Sequence, residues 1–215
     1  MILKVIPVTA FVENAYILAD EKTKEAVIFD PGGEADRILE VVDELGVTVK
    51  YILDTHGHMD HVGGVAKVKE ATGAEFGIHG DDVLLIKRQP ASYALRLIPD
   101  YADPPEPDFT VNDGDEYSVG EMKIKAITTP GHTMGSTCYL VDGILFAGDT
   151  LFQGSVGRTD FPGSSSEALV QSIRGKLFEL SDDTVVLPGH GGDTTIKQEK
   201  MHNPFVGLRA RLWTP

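Results

Sequence analysis

Four apolar stretches of this 215-residue chain each end in a small residue followed by histidine or aspartate. Short runs rich in β-branched residues and closed by glycine, proline or threonine are typical of strands that enter turns. Loops at the carboxyl ends of strands are where sheet proteins place their sites, so the four polar side chains are expected to meet at one sheet edge. The stretches are Tyr51 to His56, Ile124 to His132, Gly143 to Asp149 and Thr184 to His190.

The first stretch runs into a dense polar cluster, Thr55-His-Gly-His-Met-Asp-His, which adds His58, Asp60 and His61 to His56. Imidazole and carboxylate groups at this spacing are ligands for zinc, manganese or iron. With His132, Asp149 and His190 the chain offers seven candidate donors, enough for two divalent ions. Structural zinc sites use four closed ligands, so this larger set favours a catalytic centre.

Composition limits the class of protein. A hydrophobic content of 41% is enough for a full core, and residues 1–215 are expected to form one domain. The 33 acidic and 19 basic residues leave a formal charge of −14, which disfavours a nucleic acid partner. No secretory signal or membrane-spanning stretch is recognisable, and the single cysteine, Cys138, permits no intramolecular disulfide. A cytoplasmic protein without a membrane partner is therefore expected.

The pattern of apolar residues predicts two rounds of strands followed by helices. Two sheets packed together and covered by helices on both outer faces, an α+β sandwich, would satisfy this order. The stretch from Gln89 to Asp108 holds five prolines and is expected to be a surface excursion beside the site. The predicted strands are Ile2 to Val8, Ala15 to Ala19, Ala26 to Phe29, Glu75 to Ile78, Met122 to Ile127, Thr137 to Val141 and Ile144 to Ala147, and the predicted helices are Glu34 to Leu45, Val62 to Thr72 and Ser164 to Leu180.

Taken together, T-H-x-H-x-D-H, G-H, G-D and P-G-H resemble the motifs of the metallo-β-lactamase fold, a four-layer αββα sandwich, over nearly the whole chain. The run from Gly148 to Gly163 and the tail around Pro188-Gly-His-Gly are similar to short bacterial glyoxalase II-like hydrolases. The resemblance implies a single domain without the helical carboxyl-terminal domain of full-length glyoxalase II. Asp149 stands where the commonest zinc β-lactamases carry cysteine, which argues against antibiotic hydrolysis.

The resemblance also implies a division of the seven ligands. It assigns His56, His58 and His132 to one metal, Asp60, His61 and His190 to the other, and Asp149 to both. Two zinc ions are expected, with iron or manganese as alternatives. The implied reaction is hydrolysis of a small thioester such as S-lactoylglutathione by a hydroxide that bridges the metals and is oriented by Asp60. A thiolate leaves without a general acid, which suits a thioester substrate.

Other polar residues have two interpretations each. Arg158 is a candidate anchor for an anionic substrate, or it pairs structurally with Asp160. Asp30 is either a turn former or a support that orients a ligand histidine, and the need of ligating imidazoles for such partners favours the second. His79 and His202 match no ligand position. Gly63 and Gly64 are expected to permit close backbone approach beside the cluster.

Two rival functions stay open. Persulfide dioxygenases share the fold and a similar Gly-Arg-Thr-Asp-Phe run, yet use a single iron, which His56, His132 and Asp149 would hold here. Iron content or oxygen consumption would separate that activity from hydrolysis. A non-catalytic metal-stabilised or nucleic-acid-processing module is the third possibility, and the ligand number and acidic charge disfavour it.

Overall fold

The computed structural model describes residues 1–88, 91–208 and 210 and contains two six-stranded sheets. The first sheet has the order β1-β2-β3-β4-β5-β6, antiparallel up to β3 and parallel from there on. Its strands are β1 Ile2–Val8, β2 Glu13–Ala19, β3 Glu25–Phe29, β4 Thr48–Leu53, β5 Glu75–His79 and β6 Phe109–Val111.

The second sheet has the order β14-β13-β10-β9-β8-β7, in which only β10 and β13 run parallel. A separate two-stranded hairpin, β11 Leu151–Phe152 and β12 Ser155–Val156, follows β10. The strands of the second sheet are β7 Glu116–Val119, β8 Met122–Thr128, β9 Thr137–Val141, β10 Ile144–Gly148, β13 Val185–Pro188 and β14 Thr194–Thr195.

Three apolar clusters between the layers show that the fold is the expected four-layer αββα sandwich. Alternate residues of β2 point to opposite faces, so Ile17 packs with the helices outside the first sheet and Leu18 packs between the sheets. Ile173 belongs to the third cluster, beneath the helices outside the second sheet. The helices are α1 Ala35–Leu45, α2 Met59–Val62, α3 Val65–Thr72, α4 Val83–Arg88, α5 Ala91–Ala94, α6 Ser166–Gly175 and α7 Ile196–His202, with 3-10 turns at Gly80–Asp82 and Leu177–Glu179.

The predicted helix from Val62 to Thr72 is wrong in its boundaries. The glycine pair divides it into α2 and α3, because Gly64 N–H leaves the helical pattern and donates to the Pro31 carbonyl at 2.7 Å. A Cβ on Gly63 would stand 2.5 Å from the Gly32 carbonyl oxygen, so the expected close backbone approach is confirmed.

The third predicted helix also differs from the structure. Its amino-terminal cap is Ser165, whose hydroxyl accepts from Ala168 N–H, and Ser164 instead donates to the Phe161 carbonyl. The α-helix ends at Gly175, and the 3-10 turn carries the chain on towards Leu180. The inward-facing apolar side chains of this region are nevertheless those that the sequence predicts.

The proline-rich stretch is only partly a surface excursion. Gln89 and Pro90 lie outside the described residues, but Ala94, Ile98 and Tyr101 are buried and pack with Met59. We call residues 93–102 the strap. Backbone and side-chain hydrogen bonds join the strap to the first sheet's helices, from Ala102 N–H to the Gly63 carbonyl at 3.1 Å and from Ala35 N–H to Asp100 Oδ2 at 3.1 Å. Among the described helices, none has the length and apolar character needed to cross a membrane.

Candidate metal centre

The seven candidate donors lie together at one end of the sandwich. The cluster from His56 to His61 follows β4 of the first sheet, whereas His132, Asp149 and His190 follow β8, β10 and β13 of the second. Three groups of donor atoms fall within 4.8 Å of one another, and each takes two members from the first sheet and one from the second. These groups are His56-His58-His132, His56-His61-Asp149 and Asp60-His61-His190.

Individual distances show how closely the two sheets' contributions approach. His58 Nδ1 lies 2.9 Å from His132 Nε2, and His132 Nε2 lies 3.6 Å from Asp149 Oδ2. Asp149 Oδ1 is 3.5 Å from His61 Nε2, and His190 Nε2 is 3.4 Å from Asp60 Oδ2. Asp149 thus stands between the two sets of histidines, where a shared ligand would have to be.

A glycine precedes four of the ligands, and before Asp149 and His190 a side chain would collide with a ligand or with the residue that supports it. A Cβ on Gly189 would stand 2.5 Å from Asp149 Oδ1 and 2.7 Å from the His61 ring. Gly148 adopts φ 47°, and a Cβ there would stand 2.2 Å from Thr55 Oγ1. Glycine at these two strand ends therefore has a steric reason.

Hydrogen bonds to the far ring nitrogen orient most of the imidazoles. His61 Nδ1–H donates to Asp30 Oδ2 at 3.0 Å, and His56 Nδ1–H donates to Thr55 Oγ1 at 3.1 Å. The Thr55 hydroxyl in turn donates to Asp30 Oδ2 at 2.6 Å. Partners of this kind fix the tautomer and direct Nε2 towards the centre. Asp30 occupies the position of an orienting support, the favoured interpretation of its role.

Backbone carbonyls orient the two candidate ligand imidazoles that the second sheet supplies. His132 Nδ1–H donates to the Arg158 carbonyl at 2.7 Å, and His190 Nδ1–H donates to the Phe11 carbonyl at 3.2 Å. The sequence pattern gives no signal for these contacts, because any residue can supply a carbonyl oxygen. Arg158 therefore contacts a candidate ligand through its backbone.

Buried donor atoms without partners show that the residues present fit a metal. His56 Nε2, His61 Nε2 and Asp149 Oδ1 are buried and make no hydrogen bond to any described residue. Leaving such atoms unsatisfied costs about 1–3 kcal/mol each, which coordination would remove. The donors are all nitrogen and oxygen, a set that suits zinc, iron or manganese.

The charges in the cluster are set by burial and by close neighbours. Burial lowers the pKa of His56 well below its usual value, and burial together with His132 lowers the pKa of His58 to about 3. Burial also opposes charging of His61, but Asp149 and Asp30 outweigh it and raise its pKa well above the usual value. Burial raises the pKa of Asp60, but hydrogen bonding to His190 and the other interactions of the carboxylate lower it more. The net effect is a strong decrease in the pKa of Asp60. His56 and His58 are thus neutral imidazoles ready to bind a metal, whereas His61 would have to release a proton when a metal binds.

Asp82 is a supporting residue that sequence reasoning missed. Its buried carboxylate accepts from Gly57 N–H at 2.9 Å, Thr133 Oγ1–H at 2.7 Å and Gly135 N–H at 2.9 Å. It thereby ties the loop that carries His56 and His58 to the loop that carries His132. Asp82 follows strand β5 in an acidic turn, and its partners are distant in the sequence, so no local pattern distinguishes it.

Glu13 is a second missed residue. It is fully buried, both carboxylate oxygens lack a hydrogen-bond partner among the described residues, and Oε1 lies 3.9 Å from His61 Nδ1. Burial raises its pKa well above the usual value. The neighbouring Asn14 donates to the Pro188 carbonyl at 3.1 Å and to the Gly191 carbonyl at 3.0 Å, which holds the His190 loop against β2. The one available signal was an acidic residue just before the predicted apolar strand Ala15 to Ala19.

The cluster lies in the wall of a cavity of about 520 Å³. His58, Asp60, His132, Asp149 and His190 face it, whereas His56 and His61 lie deeper and are buried. His79 and His202, as expected, join none of the donor groups found among the described residues. The cavity therefore gives a small molecule direct access to both sets of donors.

Comparison with known proteins agrees with this geometry. The sequence model of the Metallo-beta-lactamase superfamily matches residues 8–190. "Hydroxyacylglutathione hydrolase GloC" of Haemophilus influenzae is 39% identical, over 98% of this chain and 100% of the relative.

Two solved structures are also similar. BLEG-1, called a B3 metallo-beta-lactamase, has a TM-score of 0.86 and 36% identity, covering 95% of this chain and 99% of its own. TTHA1623 in a di-iron-bound form has a TM-score of 0.82 and 36% identity, covering 94% of this chain and 100% of its own.

Proposed function

The chain belongs to the metallo-beta-lactamase superfamily, and from that premise we propose that it is a dinuclear metal hydrolase of the glyoxalase II type. Its substrate in this proposal is a small thioester such as S-lactoylglutathione. The observation that supports it most directly is the convergence of seven donors, several without other partners, in the wall of an open cavity. The 39% identity to a relative named hydroxyacylglutathione hydrolase supports the substrate class.

In this proposal two zinc ions, or iron or manganese in their place, would be held by two ligand sets, with Asp149 available to both. One set is His56, His58 and His132, and the other is Asp60, His61 and His190. When bound, such ions activate water near neutral pH and stabilise negative charge on a carbonyl oxygen.

The chain's own side chains supply orientation. Asp60 faces the cavity next to His190, where its carboxylate can accept a hydrogen bond from a water molecule and orient it. Asp30 and the Arg158 carbonyl hold His61 and His132 in place. The leaving group needs no acid, because a thiol with a pKa of about 8.5 leaves readily as thiolate. The proposed setting is the cytoplasm, with a small-molecule partner and neither nucleic acid nor membrane.

The test is release of free thiol from S-lactoylglutathione, with Asp149→Ala as the blank. We expect wild-type turnover well above that blank. His58→Ala and Asp149→Ala should each lose metal and more than about 100-fold in activity, because even outer-shell changes at metal sites cost 10–100-fold. The matched control is His202→Ala on the exposed end of α7, which should keep both. Retained turnover in His58→Ala or Asp149→Ala would refute the assigned site.

A mononuclear-iron persulfide dioxygenase is the second candidate. His56, His132 and Asp149 would form a set of two histidines and one carboxylate that suits iron. The di-iron form of a similar structure supports iron in such a site. This function leaves the clustered Asp60, His61 and His190 without a role, which is why we favour the hydrolase. Oxygen consumption with a glutathione persulfide, in the absence of thiol release from thioesters, would favour the dioxygenase.

Assays with nitrocefin would test the activity that the name of BLEG-1 implies. We expect no hydrolysis of this β-lactam above the Asp149→Ala blank.

A further inference from the structure

Apolar side chains surround the mouth of the cavity. Six apolar side chains line the cavity. One of them, Met59, packs against the buried residues of the strap, and we call the other five the apolar collar. The collar residues come from four separate parts of the chain: Phe11 before β2, Tyr93 and Leu97 in the strap, Phe152 in β11 and Phe161 before α6. Phe11, Tyr93 and Phe161 are 40%, 53% and 37% exposed. A contiguous exposed patch of apolar side chains marks a ligand-binding or interaction surface, whereas single scattered apolar residues do not.

The collar directly adjoins the candidate ligands. The Phe161 ring centroid lies 5.0 Å from that of His58, and the Phe152 centroid lies 6.4 Å from that of His190. A molecule whose reacting carbon reaches the donors must therefore place its adjoining atoms against these rings. The chemistry of the collar thus applies to the part of the substrate nearest the bond that is cleaved.

Outside the metal centre, the side chains that line the cavity offer little free positive charge. Arg158 is the one lysine or arginine that lines it among the residues the structure describes. Its Nε and Nη2 donate to Asp160 at 2.9 and 2.7 Å, and the guanidinium lies 4.5 Å from the Phe161 ring centroid. Asp160 offsets part of this charge in a two-point ion pair whose side chains are 68% and 66% exposed, so Arg158 offers a substrate carboxylate less than an unpaired guanidinium would.

We propose that the apolar collar is the specificity determinant of the site, and that it binds an uncharged aliphatic or aromatic part of the substrate beside the thioester. Negative charge on the thiol carrier then contributes little to affinity. The substrate class is an acyl thioester recognised by apolar contact. A glutathione thioester belongs to this class, but the site does not prefer it over thioesters of other thiol carriers. The inference rests on the proposed function for the identity of the reacting bond.

Thioether analogues, which cannot be hydrolysed, test the proposal by binding alone. Affinity for S-methyl- and S-hexyl-N-acetylcysteamine, which are uncharged, is measured by titration calorimetry. A fully buried methylene contributes about 0.8 kcal/mol, or about fourfold in Kd. Because the collar is partly exposed, we expect a gain of at least about tenfold over the five added methylenes, below that full value. S-hexylglutathione should bind within about threefold of its uncharged counterpart, since charge is screened and Arg158 is paired.

Variants locate the effect. Tyr93→Ala and Leu97→Ala should each remove at least about threefold of the hexyl advantage, whereas Leu95→Ala should leave it unchanged. Leu95 is a matched control because it lies in the same strap, is 47% exposed and does not line the cavity. Melting curves check that each variant is folded.

Two results would overturn the proposal. One is equal affinity for the methyl and hexyl compounds, or a hexyl advantage that survives both strap variants. The other is binding of S-hexylglutathione more than about tenfold tighter than its uncharged counterpart, lost in Arg158→Gln. Since thioethers are not hydrolysed, these outcomes are independent of thiol release, which alone decides whether the chain is a thioesterase.

Discussion

Asp30 is the single residue on which two candidate ligands depend. Its carboxylate accepts from Thr55 N–H and Thr55 Oγ1–H, both at 2.6 Å, and from His61 Nδ1–H at 3.0 Å. Through Thr55 it also fixes the ring of His56. Its backbone has φ 48°, a left-handed conformation that aspartate and asparagine tolerate better than most residues.

Asp30→Asn should therefore weaken metal binding and leave the backbone intact. The amide keeps the shape and suits the left-handed conformation, but it cannot accept all three hydrogen bonds. We expect metal affinity, measured by competition with a chromogenic chelator, to fall by about 10–100-fold. Asp113→Asn is the matched control, because Asp113 accepts from Thr128 N–H at 2.8 Å outside the metal centre. Unchanged affinity in Asp30→Asn would show that Asp30 is only a turn former.

At the scale of single residues, the sequence predicted what is local and missed what is not. The cluster from His56 to His61 stands within one loop, and His132, Asp149 and His190 each follow a recognisable strand end. Asp82 has no such marker, because its partners lie 25 to 53 residues away in sequence. The role of the Arg158 carbonyl could not be predicted either, since the side chain does not determine it.

Among the elements, the turn between β7 and β8 is held by carboxylates of the opposite sheet. Asp20, which follows β2, accepts from Lys22 N–H and Thr23 N–H at 2.8 and 3.0 Å and from Glu121 N–H at 2.8 Å. Glu25 accepts from Gly120 N–H in the same turn at 2.8 Å. The three hydrogen bonds that Asp20 accepts lower its pKa to about 2, and the one from Glu121 N–H has the largest effect.

Asp20 should make the free energy of unfolding depend on pH in the acidic range. Its folded pKa lies below the unfolded value of about 3.9, so the stabilisation is present above about pH 4 and is lost as pH falls towards 2. Urea midpoints of the wild type should therefore fall more between pH 5 and pH 3 than those of Asp20→Asn. Asp43→Asn, on an exposed position of α1, controls for loss of one acidic charge. Parallel curves for wild type and Asp20→Asn would contradict this role.

Element positions were predicted where periodicity alone decides them. Strands β1, β3, β8, β9 and β10 lie within one or two residues of their predicted bounds. Errors occurred where tertiary contacts compete with propensity. Gly64 donates to Pro31 and breaks a helix, and Ile98 is buried in the strap although its surroundings are rich in proline. Neither the hydrogen bond of Gly64 nor the burial of Ile98 is encoded by the spacing of residues within its own segment.

For the molecule as a whole, the candidate centre joins the two sheets. Each of its three cross-sheet donor groups combines residues that follow β4 with one that follows a strand of the second sheet. A bound ion would stabilise the folded chain in proportion to its affinity, because the unfolded chain lacks the site. The melting temperature should respond accordingly.

Removal of metal with a chelator should lower the melting temperature. Metal at 100 times its Kd contributes about 2.7 kcal/mol, which for a chain of this size corresponds to about 5–10 °C. Addition of zinc after removal of the chelator should restore the melting temperature. Asp149→Ala is the control and should melt at the same temperature with and without chelator. A wild-type protein that loses its metal without any change in melting temperature would show that the centre does not link the sheets.

The division of donors between the sheets also sets an order of events in folding. The segment after β4 supplies two members of each cross-sheet group, and the third comes from a loop at least 71 residues further along the chain. A nascent chain that has finished only its first sheet holds incomplete sets of ligands. Full coordination must therefore come late, after the two sheets have docked, and the cell must deliver metal to a chain that is already nearly native.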